Sequence, residues 1–212
     1  ASQRSPTLGV VIPDLADPFF ALLANGVECV AREQGMQLLL STGQQTAESE
    51  LAAIELLIDQ RCEAIVVHSK HLGNEQLIQL SQRVKGLVLI DRQIAAIQPR
   101  CLWLDNTEGG RAAAQYLIDA GHTGFAMINS NLPIDDPEQR LQGFESALSK
   151  QSLSLTTTIY AEPTLRGGEQ AARKLIASNN SFTALFAYND AMAIGAISVL
   201  EERGIRVPQD VA

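Results

Sequence analysis

The chain has 212 residues and a formal net charge of −8, with 16 lysines and arginines against 24 aspartates and glutamates. Hydrophobic residues make up 46% and charged residues 19%, close to the average of soluble globular proteins, which argues against a disordered or fibrous chain. The few basic residues are scattered, so this segment lacks the basic surface that nucleic-acid binding requires.

Short apolar runs rich in β-branched residues alternate along the chain with longer stretches of helical period. This alternation is typical of β-α-β units on a parallel sheet. Strands are predicted, in chain order, at 8–12, 37–41, 64–68, 87–90, 101–105, 124–129, 155–161 and 183–188. Nearly all of them are continuous apolar runs, as strands that are covered by helices on both faces require. The predicted fold class is therefore α/β with parallel sheets.

The predicted helices begin at residues with known capping preferences. Asp17 and Pro18 suit the N-cap and first position of one helix, because a proline there sacrifices no helical hydrogen bond. A second helix is predicted to start near Thr46, with Glu48 and Glu50 in its first turn, where the helix dipole favours negative charge. Further helices are predicted at about 107–120, 136–150, 165–178 and 190–203.

The strands fall into two groups, which predicts two Rossmann-like lobes. We predict a linker remnant at 1–7, an N-terminal lobe at 8–120 and a C-terminal lobe at 121–212, with a cleft between the lobes. In open α/β sheets, ligands bind beyond the carboxyl ends of the strands. The residues that follow each strand are therefore the first candidates for a binding site.

Charged, amide and aromatic residues follow strand after strand. The candidates are Asp17, Phe19, Phe20, His68, Asp91, Arg92, Asp105, Asn189 and Asp190, together with Arg140 near the start of the helix after the sixth strand. Carboxylates accept hydrogen bonds from sugar hydroxyls, guanidinium groups donate parallel bonds, and aromatic faces cover the C–H side of a sugar ring. The set predicts a site for a compact polyhydroxylated molecule, and a sugar is the simplest fit.

Each candidate also has a purely structural alternative. Asp17, Asn189 and Asp190 suit helix N-caps equally well. The two phenylalanines suit a core position, and Arg140 alone suits a solvated helix face. The aspartate and arginine after the fourth strand suit a surface ion pair worth under about 1 kcal/mol.

Signals of catalysis, metal binding and secretion are weak. The chain has no phosphate-binding glycine loop, dinucleotide fingerprint or nucleophile elbow, so we predict that it is not an enzyme and needs no cofactor. His68 and His71 have H-x-x-H spacing, but no acidic residue is placed to complete a zinc motif. Three cysteines without C-x-x-C spacing are typical of reduced thiols, and no signal sequence or long apolar run is present. We predict a cytoplasmic protein that does not contact a membrane.

Five segments carry a resemblance that covers essentially the whole chain: "GVVIPDLADPFF", "VLIDR", "LDNTEGGRAAAQYLIDAGHTGFAMI", "RLQGFESAL" and "YNDAMAIGAISVLEERGIRVPQDV". In this order they resemble the LacI/GalR family of bacterial transcription regulators. Within that family, the galactose repressor and isorepressor group is resembled most by "RCEAIVVHSK", "GLVLIDR", "RLQGFESAL", "AEPTLRGGEQA" and "FTALFAYNDAMAIGA". The resemblance implies a fold like that of type I periplasmic binding proteins, with a sugar effector such as galactose bound between the lobes. It also implies an allosteric homodimer that binds operator DNA through an N-terminal helix-turn-helix outside these residues.

The resemblance further implies roles for individual residues. It assigns effector binding to Arg140 and to Asn189 and Asp190, and the aromatic contact with the ligand to Phe19 and Phe20. The remaining matches to residues of the family's cleft, or of the related ribose-binding proteins, are Asp17, His68, Asp91, Arg92 and Asp105. In the family a further segment follows the position of residue 212, so the C-terminal lobe is expected to be incomplete. A secreted sugar-binding protein of a transporter, with the same lobes and candidate residues, is the alternative.

Overall fold

The computed structural model describes residues 6–178 and 180–212. In the first half of the chain the elements are β1 (Thr7–Ile12), α1 (Pro18–Glu33), β2 (Gln37–Thr42), α2 (Ala47–Asp59), β3 (Ala64–His68), α3 (Asn74–Arg83), β4 (Gly86–Ile90), a 3-10 helix (Ala95–Arg100) and β5 (Cys101–Leu102). In the second half they are α4 (Asn106–Asp119), β6 (Phe125–Ser130), α5 (Asp135–Lys150), β7 (Leu155–Ala161), α6 (Leu165–Ala177), β8 (Ala184–Ala187) and α7 (Asp190–Glu202).

The first five strands form one parallel sheet in the order β2-β1-β3-β4-β5. Successive residues of a strand point to opposite faces, so Val11 packs with Ile54 and Leu57 of α2 while Ile12 packs with Ala24 of α1. Helices therefore cover both faces, as the continuous apolar runs predict. The edge strand β2 is less deeply buried than the central strands.

The last three strands form a second parallel sheet in the order β7-β6-β8. Every residue of the central strand β6 is buried. On one face Phe125 packs with Phe144 of α5, and on the other face Ile128 packs with Ala172 of α6 and Met192 of α7. This confirms the predicted α/β class with two parallel sheets.

The chain divides into two compact units between Leu104 and Asp105. The predicted boundary at 120–121 therefore needs correction, because α4 belongs to the second unit rather than the first. Ala114 of α4 is buried in the same core cluster as Phe125 and Phe144. Of the predicted linker at 1–7, residues 1–5 lie outside the described residues, and Thr7 already belongs to β1.

Most predicted elements agree with the structure to within one residue at each end. The strand predicted at 101–105 is wrong beyond its second residue, because the chain leaves the sheet after Leu102 and exposes Trp103 and Leu104 to solvent. Helix α3 and the 3-10 helix were not predicted. None of the helices in the described ranges is both long and apolar enough to cross a membrane.

Candidate functional site

In the first unit, His68 and Asp91 meet at the carboxyl edge of the sheet. His68 ends β3 and aligns with Ile90 at the end of β4, which places Asp91 beside it. The Asp91 carboxylate lies 3.4 Å from Nε2 of His68 and 2.8 Å from Nζ of Lys70. The fold thus brings two predicted site residues together. Lys70, which was not predicted as a site residue, joins them.

Asp91 is held ionised in a conformation that few residues adopt. Its φ is 58°, in the left-handed region, which aspartate tolerates better than most residues with a side chain. Burial raises the pKa of Asp91, but the hydrogen bonds from His68 and Lys70 outweigh it and lower the pKa to about 2. At neutral pH this edge of the sheet therefore carries a fixed carboxylate.

Phe20 covers the other side of the histidine. Its ring meets the ring of His68 edge-on, with 4.9 Å between the centroids, and Phe19 meets Phe20 in the same way at 5.1 Å. His68 is only 5% exposed, and its Nδ1 atom has no hydrogen-bond partner within the described residues. Phe20 is half-buried, whereas Phe19 is 60% exposed, so the core alternative does not hold for Phe19.

Asp17 and Arg92 make structural contacts of their own. Asp17 is the N-cap of α1, where its Oδ1 accepts a hydrogen bond from the Phe19 backbone N–H at 2.9 Å. Arg92 donates to the carbonyl oxygens of Ser69 and Leu72 at 3.1 and 2.9 Å. In the described part of the chain, Asp91 pairs with Lys70 and His68 rather than with Arg92, so the alternative of a surface ion pair between Asp91 and Arg92 does not hold.

In the second unit, Arg140 is fixed by three contacts. Its Nε donates to Oδ1 of Asn106 at 2.8 Å, and its Nη1 donates to the carbonyl oxygen of Tyr188. The guanidinium carbon also lies 4.5 Å from the centroid of the Tyr188 ring, a cation–π contact. Arg140 is thus half-buried and immobilised, unlike an arginine on a solvated helix face.

Asn189 and Asp105 both cap helices in this unit. Asn189 accepts from the Met192 backbone N–H at 2.9 Å and donates from Nδ2 to the Pro163 carbonyl at 3.0 Å. Asp105 caps α4 by accepting from the Glu108 backbone N–H at 2.8 Å. Asp190 is the first residue of α7 and is exposed. The capping alternative therefore describes Asn189 and not Asp190. Asn189 directly follows Tyr188, the residue that Arg140 contacts.

Asn106 and Tyr188 were not predicted as site residues, because their contacts with Arg140 join distant parts of the chain. Asn106 stands beside the selected Asp105 in the chain, yet Asn106 is the buried member of the pair and holds Arg140. Tyr188 precedes the selected Asn189 and acts through its ring and its carbonyl group. A preference for polar residues directly after a strand is the one signal that points to this neighbourhood.

The two histidines with H-x-x-H spacing face different carboxylates. Nδ1 of His71 lies 2.8 Å from Oε1 of Glu50, while His68 contacts Asp91. Among the residues that the structure describes, no three histidine, cysteine or acidic side chains are close enough to hold a metal ion.

The cations at these strand ends are already engaged by the protein. Lys70 pairs with Asp91, Arg92 bonds to loop carbonyls, and Arg140 bonds to Asn106 and Tyr188. An anionic ligand would have to compete with these partners, whereas a neutral hydroxylated ligand can add to them. The arrangement suits an uncharged ligand rich in hydroxyl groups.

Open parallel α/β sheets with polar groups collected at their carboxyl ends define a protein of the type I periplasmic-binding-protein class. Residues 5–212 match the family model described as periplasmic binding proteins and sugar binding domain of the LacI family. The chain therefore belongs to this family, and the resemblance drawn from its sequence segments is confirmed.

Named relatives agree with this placement. The chain is 40% identical to the HTH-type transcriptional regulator GalR of Salmonella typhimurium strain SL1344 over 214 residues, covering 100% of this chain and 63% of the relative. It is 38% identical to GalS of Salmonella typhimurium strain LT2 over 210 residues, covering 98% and 62%. The crystal structure of the Escherichia coli transcriptional repressor ascG superposes with a TM-score of 0.87 at 30% identity, covering 98% of this chain and 77% of that one.

The chain spans less than two thirds of the length of the curated relatives, 63% for GalR and 62% for GalS. All three comparison proteins are named as transcription regulators and none as an enzyme. This agrees with the prediction that the chain is not an enzyme.

Proposed function

We propose that the chain is the effector-sensing part of a LacI/GalR-family transcriptional repressor and that its effector is a small neutral sugar, D-galactose or a related monosaccharide. The similarity to GalR and GalS supports this assignment. The full protein would act in the cytoplasm as a homodimer and bind operator DNA through an N-terminal helix-turn-helix. The acidic character of this chain is consistent with a DNA-binding element elsewhere.

The hydrogen bonding of the Arg140 guanidinium group is the main support for this proposal. Two of its guanidinium nitrogens donate to Asn106 and Tyr188, while Nη2 donates to no other residue in the part of the chain that the structure describes. The Tyr188 ring fixes the plane of the guanidinium group. A rigid cation with one donor nitrogen available is suited to a sugar hydroxyl, because little side-chain entropy is lost when the bond forms.

Further sugar contacts are proposed at the strand ends within each unit. Asn189 and Asp190 would contact hydroxyl groups from the second unit, and His68, Asp91 and Phe20 from the first. Nδ1 of His68 is buried without a partner among the described residues, so an unpaired polar group lies at the proposed site. Supporting roles are proposed for the remaining candidates, namely the capping residues Asp17 and Asp105, the exposed Phe19 and the loop-bound Arg92.

Sugar binding would act by shifting an equilibrium between two conformations of the regulator. A ligand shifts such an equilibrium only through its different affinities for the two states, and moving it from 1:99 to 99:1 takes about 5.5 kcal/mol. Hydrogen bonds to charged groups contribute roughly 1.5 to 3 kcal/mol each. A few bonds from Arg140 and Asp91 that form in one state only would therefore suffice to change operator binding.

Isothermal titration calorimetry with D-galactose and its epimers tests the proposal. We expect the wild-type chain to bind and Arg140→Ala to weaken binding by roughly 10- to 100-fold, the equivalent of one lost charge-assisted bond. Asn189→Ala should also weaken binding. Its matched control is Thr164→Ala, which removes the N-cap of the neighbouring helix α6.

An exposed arginine provides the control for charge. Arg173 on α6 pairs with Glu202 on the surface, so Arg173→Ala changes the net charge as Arg140→Ala does and should leave sugar binding unchanged. Undiminished binding in both Arg140→Ala and Asn189→Ala would contradict the assignment of the site.

A further inference from the structure

Glu50 is a buried carboxylate with no place among the proposed sugar contacts. It lies in the first turn of α2 and is only 2% exposed, whereas Glu48 in the same turn is exposed. Burying a charge without partners is costly, so a buried glutamate requires an unusually complete set of donors. The structure supplies that set from one short segment.

The donors belong to the loop that follows β3. Ser69 Oγ donates to Oε2 of Glu50 at 2.5 Å, and Nδ1 of His71 lies 2.8 Å from Oε1. The backbone N–H groups of Lys70 and His71 donate to Oε1 at 3.2 Å, and that of Leu72 donates to Oε2 at 3.1 Å. Burial raises the pKa of Glu50, but these bonds lower it below its usual value, so the carboxylate is charged.

Arg92 holds the opposite side of the same segment, residues 69–72, which we call the clamped loop. Its guanidinium group donates to the carbonyl oxygens of Ser69 and Leu72 and to Oδ1 of Asn74. Glu50 thus binds the N–H groups of the clamped loop and Arg92 binds its carbonyl groups. These bonds hold the Arg92 side chain in one conformation within the first unit.

The clamped loop carries Lys70, whose ammonium group lies 2.8 Å from the Asp91 carboxylate. Loss of the Glu50 bonds would leave the clamped loop held by Arg92 on one side only, so Lys70 would be held less firmly against Asp91. Asp91 is the proposed sugar contact that this ion pair orients. The path from Glu50 to Asp91 therefore runs through hydrogen bonds and an ion pair that are all present in the structure.

We propose that Glu50 is a positioning residue for the sugar site: it fixes the clamped loop so that Lys70 holds the Asp91 carboxylate in its binding orientation, without touching the sugar. The effect on affinity rests on the proposed sugar-binding function. The effect on Asp91 does not, so the two parts can be tested separately.

The test variant is Glu50→Gln, which keeps the shape of the side chain. Glutamine has only one acceptor oxygen. Its NH2 group would therefore face backbone N–H groups that now donate to the second carboxylate oxygen. The matched control is Glu55→Gln on the same helix, because both carboxylate oxygens of Glu55 accept from the exposed Arg83 rather than from the clamped loop. We expect Glu50→Gln to bind D-galactose about tenfold more weakly and Glu55→Gln to bind it as the wild type does, a difference equivalent to about 1.4 kcal/mol.

The second readout is the titration of Asp91 followed by carboxyl ¹³C NMR, which requires no sugar. The wild-type pKa is expected at about 2, and Glu50→Gln should raise it towards the usual value of 3.8 while Glu55→Gln leaves it unchanged. A glutamate that only stabilised the fold would not change the pKa of Asp91 in a folded variant. Ser69→Ala removes a single donor to Glu50 and should show smaller changes of the same sign, which keeps the test possible if Glu50→Gln does not fold.

Each outcome decides the proposal. Weaker binding together with a raised Asp91 pKa supports it. An unchanged Asp91 pKa in Glu50→Gln overturns it. If the wild type binds the sugar, an unchanged affinity in Glu50→Gln also overturns it. If the wild type binds no sugar, the proposed function fails, and the Asp91 titration alone decides whether Glu50 positions this carboxylate.

Discussion

Asp91 shows how a single residue at a strand end combines strain, burial and charge. Its left-handed backbone and its half-buried carboxylate both carry a cost, which the contacts with His68 and Lys70 offset. Residues held in this way are concentrated at functional sites, where the fixed geometry is useful for binding. The electrostatic part of this arrangement has a measurable dependence on pH.

Because the folded pKa of Asp91, about 2, lies below its usual value of 3.8, its ionised form stabilises the fold above about pH 4. This stabilisation is lost as the pH falls from about 4 towards 2. Asn also tolerates the left-handed region, so Asp91→Asn removes the charge without adding backbone strain. We expect Asp91→Asn to be less stable than the wild type at pH 7, and the difference to shrink in acid.

Urea unfolding of both proteins between pH 7 and pH 2.5 measures this difference. The fluorescence of Trp103, the only tryptophan, reports on the first unit. Other carboxylates titrate equally in both proteins, so they cancel in the comparison. A difference in the free energy of unfolding that stays constant over the whole range would contradict the role given to the Asp91 charge.

At the residue scale, the sequence predicts the positions that directly follow a strand and misses those that act through tertiary contacts. His68, Asp91 and Asn189 are adjacent to strands in the chain and take part in the contacts described above. Glu50 lies 19 residues from Ser69 along the chain, and its burial depends on how α2 packs beside β3. No local pattern distinguishes it from Glu48, which is exposed.

At the scale of elements, the close contact between α4 and α5 positions Arg140. A Cβ atom on Gly110 would stand 2.0 Å from the Arg140 carbonyl oxygen, and one on Gly143 would stand 1.9 Å from the Thr107 carbonyl oxygen. Only glycine allows the two helices to approach so closely. The approach in turn lets Asn106 at the start of α4 reach Arg140 on α5.

We expect Gly143→Ala and Gly110→Ala to destabilise the fold by about 1 to 3 kcal/mol or more, because the helices must separate to admit the methyl group. Both variants should also weaken sugar binding by displacing Arg140. Gly109→Ala is the matched control, since no described atom beyond its own stretch of helix lies within 4 Å of its added Cβ. Replacing glycine within a helix stabilises by up to about 1 kcal/mol. Thermal unfolding followed by circular dichroism would show the contrast. If Gly143→Ala were as stable as Gly109→Ala, the close contact would not be required.

Element ends were predictable because capping residues mark them, as Asp17 and Thr46 do for α1 and α2. The extent of β5 was not predictable, because its apolar run continues after the chain has left the sheet. The missed helix α3 has a largely polar sequence with buried leucines at 77 and 80, and its short apolar face gives a weak signal.

At the scale of the whole molecule, the number of sheets was predictable from the alternation of strands and helices. The division between the units was not, because the sequence does not show on which core α4 packs. The structure places α4 with α5 and the second sheet. The unit boundary therefore falls before Asp105, so that Asp105, Asn106 and Arg140 belong to one unit and their mutual arrangement is set within it.

The central proposal is that polar groups at the strand ends, Arg140 and His68 among them, bind a small sugar. Titration of isotopically labelled protein with D-galactose, followed by NMR, tests it most directly. We predict that the Nε–H signal of Arg140 and the ring signals of His68 shift as the sugar is added. Signals of both residues that remain unchanged at saturating galactose and at saturating concentrations of its epimers would contradict the claim.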